Sequence, residues 1–175
     1  MALSCSRRGS KARTRRPSRF ACDRRRFDER LGTEWKRSAG LGGPLSLVLV
    51  DLDGFRLLND TRGSRAGDDV LRRVAGLARE AAREPGGLVA RIGGAQFALL
   101  LPGISAERAL ALAGALGEAI ALRGDANPLQ PATASLGVAT AFPGDGGRAA
   151  DLLSASDGAL QQARALGGNR YKEAT

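Results

Sequence analysis

The sequence predicts a single α+β domain of ferredoxin-like type, in which a mixed and largely antiparallel sheet is covered by helices. Three observations predict this class: apolar strand-like segments, segments with the apolar spacing of helices, and two adjacent strands that are joined across a Gly-Gly pair. A hairpin set within strand–helix–strand units is typical of this class. We therefore expect a sheet that combines antiparallel pairs with helical connections.

The domain is predicted to begin with a helix and a buried strand. Phe27, Leu31 and Trp35 recur at four-residue steps, which puts them on one face of a helix that packs onto a neighbour. Leu45–Val50 is almost continuously apolar, as expected of a strand that is buried on both faces. The strand runs into Asp51-Leu52-Asp53, so carboxylates are expected at its carboxyl end, where such sheets hold their sites.

The remaining predicted elements alternate helices and strands. In chain order they are a helical turn at Phe55–Asn59, a helix at Ala66–Arg83, strands at Leu88–Ile92 and Gln96–Leu101, a helix at Ser105–Leu122, a strand at Ala132–Ala141 and a helix at Ala149–Leu166. The link Gly93-Gly94-Ala95 predicts a tight hairpin. Ser105 is expected to cap its helix, and Gly167-Gly168 to end the last one.

Composition excludes several classes of function. The 175-residue chain has no histidine, which excludes Ser–His–Asp triads and His-based zinc sites. No segment approaches the roughly 20 apolar residues of a membrane-spanning helix, so no span is expected. Two cysteines do not make a disulfide framework, and the first residues lack the apolar stretch of a secretory signal. These features predict a cytoplasmic protein.

The net charge of +9 lies at the N-terminal end. Residues 1–40 hold 13 Lys and Arg against 4 Asp and Glu, whereas residues 41–175 hold 14 of each. We interpret residues 1–20 as a solvated, disordered leader, and unspecific contact with nucleic acid or acidic lipid is the alternative. Residues 21–175 are expected to form the domain, with a core at about 44–172. The domain has no DNA-binding motif, so no specific nucleic acid is expected as a partner.

A series of motifs in chain order resembles the GGDEF domains of diguanylate cyclases, which condense two GTP into cyclic di-GMP. The segments that carry the resemblance are DRRRFDERL at Asp23–Leu31, LVDLDGFRLLND at Leu49–Asp60, GSRAGDDVL at Gly63–Leu71, RIGGAQFALL at Arg91–Leu100, SLGVA at Ser135–Ala139 and DGALQQARALGGN at Asp157–Asn169. The resemblance covers about residues 23–172. It implies the nucleotidyl-cyclase-like sheet of that family.

The resemblance also implies a metal site, which this chain has altered. In the family, the positions of Asp51 and the Leu52 carbonyl hold Mg²⁺ or Mn²⁺ together with the acidic third residue of the signature loop. Here that loop reads Gly93-Gly94-Ala95-Gln96-Phe97. A methyl group cannot bind a cation, and an amide is uncharged and cannot act as a base. We expect weakened metal binding and no intact catalytic loop residue, with Asp53 approaching from the wrong side to substitute.

The nucleotide pocket implied by the resemblance is better preserved. Its residues are Asn59 and Asp68 for the guanine edge, with Arg56, Arg164 and the backbone around Gly54 and Phe55 for the phosphates. Gly168 stands where the family has an arginine, which removes one cationic contact. The family's inhibitory R-x-x-D falls by spacing at Glu84 and Gly87, so no inhibitory site is expected. Asp157 and Asn169 are interpreted as caps near helix ends.

Three functions remain open on this reading. The first is a catalytically silent GGDEF domain that binds GTP or a protein partner in cyclic di-GMP signalling. The second is an active diguanylate cyclase that tolerates the altered loop and, like active family members, works as a homodimer. The third is a structural remnant of a longer sensor protein.

Overall fold

A five-stranded mixed sheet forms the centre of the described chain. The computed structural model describes residues 24–83, 86–124 and 132–174. Its elements are α1 (Arg24–Leu41), β1 (Leu45–Leu52), α2 (Phe55–Arg83), β2 (Leu88–Arg91), β3 (Gln96–Pro102), α3 (Ala106–Arg123), β4 (Ala134–Ala141), a 3₁₀ turn (Pro143–Asp145), α4 (Ala149–Ala165) and β5 (Tyr171–Glu173). The sheet order is β2-β3-β1-β4-β5. All neighbouring strands are antiparallel except β4 and β5, which are parallel.

Strand β1 lies in the middle of the sheet and is buried along its whole length. Its side chains alternate between two faces, because successive residues of a strand point to opposite sides. Val48 and Val50 pack into the core under α2 and α3, whereas Leu47 and Leu49 pack into the core under α1 and α4. The predicted α+β sheet with helices on its faces, and the buried strand at its centre, are confirmed.

The two cores are mainly aliphatic, with one buried phenylalanine in each. The α2/α3 side is filled mainly by Val70, Leu71, Val74, Phe97, Leu99, Leu116 and Ile120, and the α1/α4 side by Phe27, Leu31, Leu47, Leu100, Leu152 and Leu160. Trp35 packs at the edge of the second core and is half-buried. The predicted packing face of α1 is therefore confirmed.

Helix α2 consists of two helical pieces, as predicted, and these pieces extend closer to Gly63 than the sequence indicates. The sequence predicts a turn at 55–59 and a separate helix from 66, but helical structure extends from Phe55 to Arg83 with one interruption at Gly63. Gly63 has φ of 81° and ψ of 160°, which bends the chain between the two helical pieces. Thr61 donates a hydrogen bond to the Leu57 carbonyl at 2.8 Å, so this polar residue is accommodated within the helix.

Helix α4 lies close to β4 because β4 contains Gly137. A side chain at this position would lie against the backbone of α4, with its Cβ 2.8 Å from the Leu160 Cα atom. At the start of α4, Asp151 accepts hydrogen bonds from the Arg148 amide and guanidinium, both at 2.9 Å. The hydrogen bond from the Arg148 side chain is the main cause that lowers the pKa of Asp151.

In the C-terminal region one prediction is wrong and one strand was missed. Asp157 does not cap a helix end, because it lies in the interior of α4 on an exposed surface. Strand β5 was not predicted, because three residues are too short to show a pattern. Tyr171 of β5 lies against Gly114 of α3, where an added Cβ would be 3.3 Å from the ring.

The predicted leader, residues 1–20, lies outside the described residues.

Candidate functional site

Asp51 is the centre of the candidate site. It lies near the carboxyl end of β1, where the sheet register pairs it with Gln96 of β3 and Ser135 of β4. By the alternation of the strand, its side chain lies on the same face as Leu47 and Leu49, which is the face that α4 covers. The Asp51 side chain is only 12% exposed. A carboxylate buried to this degree needs hydrogen-bond donors or a counter-charge.

Gln96 supplies one of these donors. Its Nε2 amide donates a hydrogen bond of 3.0 Å to the Asp51 Oδ2 atom. The hairpin backbone before Gln96 is fixed by Arg91, whose Nε donates to the carbonyls of Gly93 at 3.3 Å and Gly94 at 3.1 Å. A Cβ on Gly93 would lie 3.1 Å from the Gln96 Oε1 atom, so glycine leaves room for the amide. The predicted Gly-Gly hairpin therefore holds a neutral amide beside Asp51.

Arg164 supplies the counter-charge from the other side. Its Nη1 atom donates to the same Asp51 Oδ2 atom at 2.8 Å. The Arg164 side chain is 49% exposed. Its position follows from the close packing of α4 on β4 that Gly137 permits. The sequence predicted Arg164 as a phosphate contact, and the structure brings it directly onto the predicted metal ligand.

Asp53 is held by a separate set of donors. Its Oδ1 atom accepts a hydrogen bond from the Ser135 hydroxyl at 2.7 Å. Its Oδ2 atom accepts from the Thr133 hydroxyl and from the backbone N–H of Asn169, both at 2.9 Å. Asn169 has a φ of 50°, and this left-handed conformation turns its N–H toward Asp53. These contacts tie Asp53 to β4 and to the segment after α4. Sequence reasoning missed Thr133 and Ser135 as partners, because no local pattern links residues 80 positions apart.

The predicted guanine contacts lie on α2. Asn59 and Phe55 from its first helical piece pack against Gly67 of its second piece, where an added Cβ would meet the Asn59 amide and lie 3.1 Å from the Phe55 ring. Gly67 directly precedes Asp68, which is exposed. The missing side chain of Gly67 therefore lets the piece that carries Asn59 lie against the piece that carries Asp68. Arg56, the predicted phosphate contact, is exposed in the first turn.

At the Asp51 Oδ2 atom, the surrounding side chains do not fit a magnesium ion. Mg²⁺ requires oxygen ligands in a nearly octahedral arrangement, whereas the Asp51 Oδ2 atom already faces two N–H donors. Ala95 offers no side-chain ligand. Within residues 24–83, 86–124 and 132–174, no cluster of three or more Asp, Glu, Cys or His residues could hold a metal.

A cavity of about 250 Å³ opens beside the hairpin, on the α1/α4 face of the sheet. Its lining includes Arg24 of α1, Gln96 of β3, and Ser154 and Asp157 of α4. Its volume is below the roughly 300–1,000 Å³ of typical ligand pockets.

Of the predicted inhibitory positions, Gly87 follows α2 and Glu84 lies outside the described residues. None of the described helices combines the length and hydropathy that crossing a membrane would need.

Comparison with known proteins agrees with this arrangement. The family profile described as "Diguanylate cyclase, GGDEF domain" matches residues 22–170. Diguanylate cyclase DgcP of Pseudomonas aeruginosa is 37% identical over 157 residues, which are 87% of this chain and 22% of DgcP. The response regulator PleD of Caulobacter vibrioides is 34% identical over 155 residues, 84% of this chain and 33% of PleD. The chain thus spans a third or less of the length of these relatives.

Solved structures give the same result. The active GGEEF domain of a diguanylate cyclase from Vibrio cholerae superposes with a TM-score of 0.82 at 29% identity, covering 88% of this chain and 97% of that one. The GGDEF domain of DgcB from Caulobacter crescentus, solved in complex with c-di-GMP, has a TM-score of 0.81 at 26% identity, with 91% and 98% covered. The chain therefore belongs to the GGDEF domain family of diguanylate cyclases.

Proposed function

We propose that this chain is a catalytically silent GGDEF domain that acts in cyclic di-GMP signalling by binding GTP or a protein partner. The observation that carries the proposal is the hydrogen bond from the neutral Gln96 amide to Asp51. The active Vibrio cholerae domain is described as GGEEF, with two glutamates where this chain has Ala95 and Gln96. We propose the cytoplasm as its compartment.

The loss of the loop carboxylates removes the charge that the reaction requires. Phosphoryl transfer depends on positioning and on neutralising the charge of the phosphates, and oxygen-bound divalent metal supplies much of that neutralisation. Removing only a residue that supports a metal ligand typically lowers metal affinity or activity about 10–100-fold. Replacing a direct carboxylate ligand by Ala95 is expected to cost at least as much. Asp53 is engaged by three donors and is not available as a substitute.

GTP binding is supported by the residues on α2. An amide and a carboxylate, here Asn59 and Asp68, together satisfy the acceptor and the donors on the guanine edge. The packing of Asn59 against Gly67 supports their joint use. Arg56 and Arg164 supply guanidinium groups for the phosphates. A protein partner is supported by analogy, because SiaD of Pseudomonas aeruginosa, 31% identical, has been solved in complex with its activator SiaC.

A turnover assay tests catalytic silence. Purified chain is incubated with GTP and Mg²⁺ or Mn²⁺, and the products are separated by chromatography. No cyclic di-GMP is expected, because the hairpin lacks the acidic ligand. Formation of cyclic di-GMP at a rate comparable to that of intact relatives would establish the alternative, an active cyclase that tolerates the loop.

Calorimetry with GTP tests the binding role. Heat of binding is expected for the wild type, and Asn59→Ala or Asp68→Ala is expected to abolish it. Asp69→Asn is the matched control, because Asp69 is the neighbouring exposed carboxylate and pairs with Arg72. Equal heats for the wild type and the Asp68→Ala variant would remove this pocket assignment. Wild-type chain that releases no heat would favour the structural-remnant hypothesis.

A further inference from the structure

We propose that Arg164 is the built-in cation of this nucleotide pocket, so that the domain binds GTP without a divalent metal. The inference rests on the proposed GTP binding and adds that this binding requires no divalent metal. It starts from one atom, the Asp51 Oδ2, which accepts from the Arg164 guanidinium at 2.8 Å and from the Gln96 amide at 3.0 Å. A metal ion that used this oxygen would have to displace both donors.

Charge balance supports the same conclusion. A buried carboxylate that has no counter-charge favours the binding of a cation. Here the charges of Asp51 and Arg164 sum to zero, because Gln96 is neutral and Ala95 has no polar group. The buried carboxylate is therefore neutralised by the protein itself. A second positive charge at this position would be left without a partner.

The guanidinium can bind phosphate while it holds Asp51. Arginine has five N–H donors in a planar fork, and the structure shows Nη1 on Asp51. The side chain is 49% exposed, so a ligand can approach it from solvent. Arginine also retains its charge at every physiological pH and binds phosphate in a bidentate manner, which a lysine cannot do. The Arg164 guanidinium can thus contact a phosphate while it neutralises Asp51.

Calorimetry in two buffers tests the metal requirement. GTP is titrated into the wild-type chain in excess EDTA and in excess Mg²⁺, and the two dissociation constants are expected to agree within about threefold. Binding that occurs only with Mg²⁺, or that is at least tenfold tighter with Mg²⁺, would overturn the inference and leave the proposed GTP binding intact. Absence of heat in both buffers would overturn the inference and the proposed GTP binding together.

Variants test the role of Arg164. Arg164→Ala is expected to weaken GTP binding in EDTA at least tenfold. Since this change leaves Asp51 without its counter-charge, the double variant Asp51→Asn with Arg164→Ala is measured as well, and the same weakening is expected. Arg148→Ala is the matched control, because Arg148 lies at the other end of α4 and also pairs with an aspartate. Unchanged affinity in the double variant would overturn the inference.

Direct metal binding supplies a readout that does not depend on the nucleotide. Electron paramagnetic resonance of Mn²⁺ is expected to show no bound ion with the wild-type chain. The variant Ala95→Asp with Gln96→Glu and Arg164→Lys is expected to bind Mn²⁺, because it restores carboxylates and shortens the cation's reach to Asp51. Mn²⁺ bound by the wild type as strongly as by this variant would contradict the built-in cation.

Discussion

Gln96 shows at the residue scale how a single amide changes the chemistry of a buried carboxylate. A glutamate at this position would face Asp51 across the register of β1 and β3 and repel it, and a cation between them would relieve the repulsion. The Gln96 amide instead donates a hydrogen bond to Asp51, so there is no repulsion for a cation to relieve. Gln96 thus gives Asp51 a hydrogen-bond donor where a glutamate would add a second negative charge.

The loop substitution gives a prediction of gained activity. Ala95→Asp with Gln96→Glu restores the acidic residues, so cyclic di-GMP formation from GTP and Mn²⁺ is expected to rise above background. The expected gain in metal affinity is at least about tenfold, the lower end of the cost of disturbing a metal site. Ala95→Asn, which adds a side chain of similar size without charge, is the control. Equal product from both variants and the wild type would contradict the argument.

Asp53 gives a prediction of stability. Ser135→Ala removes the 2.7 Å hydrogen bond to Asp53, and Ser135 is fully buried. Hydrogen bonds to charged groups contribute about 1.5–3 kcal/mol, so the free energy of unfolding in urea is expected to fall by about that amount. Ser154→Ala, at an exposed position of α4, is expected to change it by less than about 0.5 kcal/mol. A loss of similar size in both variants would contradict the role of Ser135.

The sequence identified the candidate residues better than their partners. Asp51, Gln96 and Arg164 were each singled out by the resemblance to GGDEF domains, yet the contact of all three at one oxygen could not be foreseen. It depends on the register between β1 and β3 and on how closely α4 approaches β4. Neither quantity has a local signature in the chain. The hydroxyl groups that hold Asp53 were missed for the same reason.

Gly137 gives a prediction at the scale of the element. A methyl group at Gly137 would lie 2.8 Å from the Leu160 Cα atom, so α4 must move away from β4. Overpacking of this kind typically costs about 1–3 kcal/mol, and Gly137→Ala is expected to lower the free energy of unfolding in urea by that amount. The shift should also weaken GTP binding, because α4 carries Arg164.

The control for this variant lies on the opposite face of α4. Gly158 is exposed, and a Cβ added there meets nothing within 4 Å. Gly158→Ala is therefore expected to stabilise the domain by about 0.5–1 kcal/mol, the difference in helix propensity. A destabilisation by Gly158→Ala equal to that of Gly137→Ala would show that close packing on β4 is not the cause.

Elements with a periodic apolar face were predictable, whereas the shortest strand was not. Ser105 caps α3 as predicted, and it accepts a hydrogen bond from the Arg108 amide at 3.4 Å. Strand β5 escaped prediction because its three residues pair with β4 only after α4 has crossed the sheet. The two pieces of helix α2 were predictable, because the polar segment around Gly63 lacks an apolar repeat and the helix is interrupted there.

For the whole molecule, two cores share one sheet. Leu99 and Leu100 are neighbours in β3, yet Leu99 belongs to the core under α2 and α3 and Leu100 to the core under α1 and α4. Since both cores depend on the same strands, the domain is expected to unfold in a single transition.

Trp35 allows this cooperativity to be measured, since it is the one tryptophan of the sequence and packs on the α1/α4 side. Leu99→Ala is expected to cost about 2–5 kcal/mol. Trp35 fluorescence and far-UV circular dichroism should report the same shifted midpoint in urea, although Leu99 lies on the other face. Separate midpoints for the two signals would show that the cores unfold independently.

The bend at Gly63 divides the proposed guanine-binding surface between the two helical pieces of α2. Asn59 lies before Gly63 and Asp68 lies after it, so the separation of their polar groups depends on the backbone torsions φ and ψ of Gly63. A Cβ at Gly63 would touch nothing, but a φ of 81° strains any side-chain-bearing residue. A substitution at Gly63 can therefore lower the selectivity of this surface for guanine over adenine, although Gly63 itself does not contact the base.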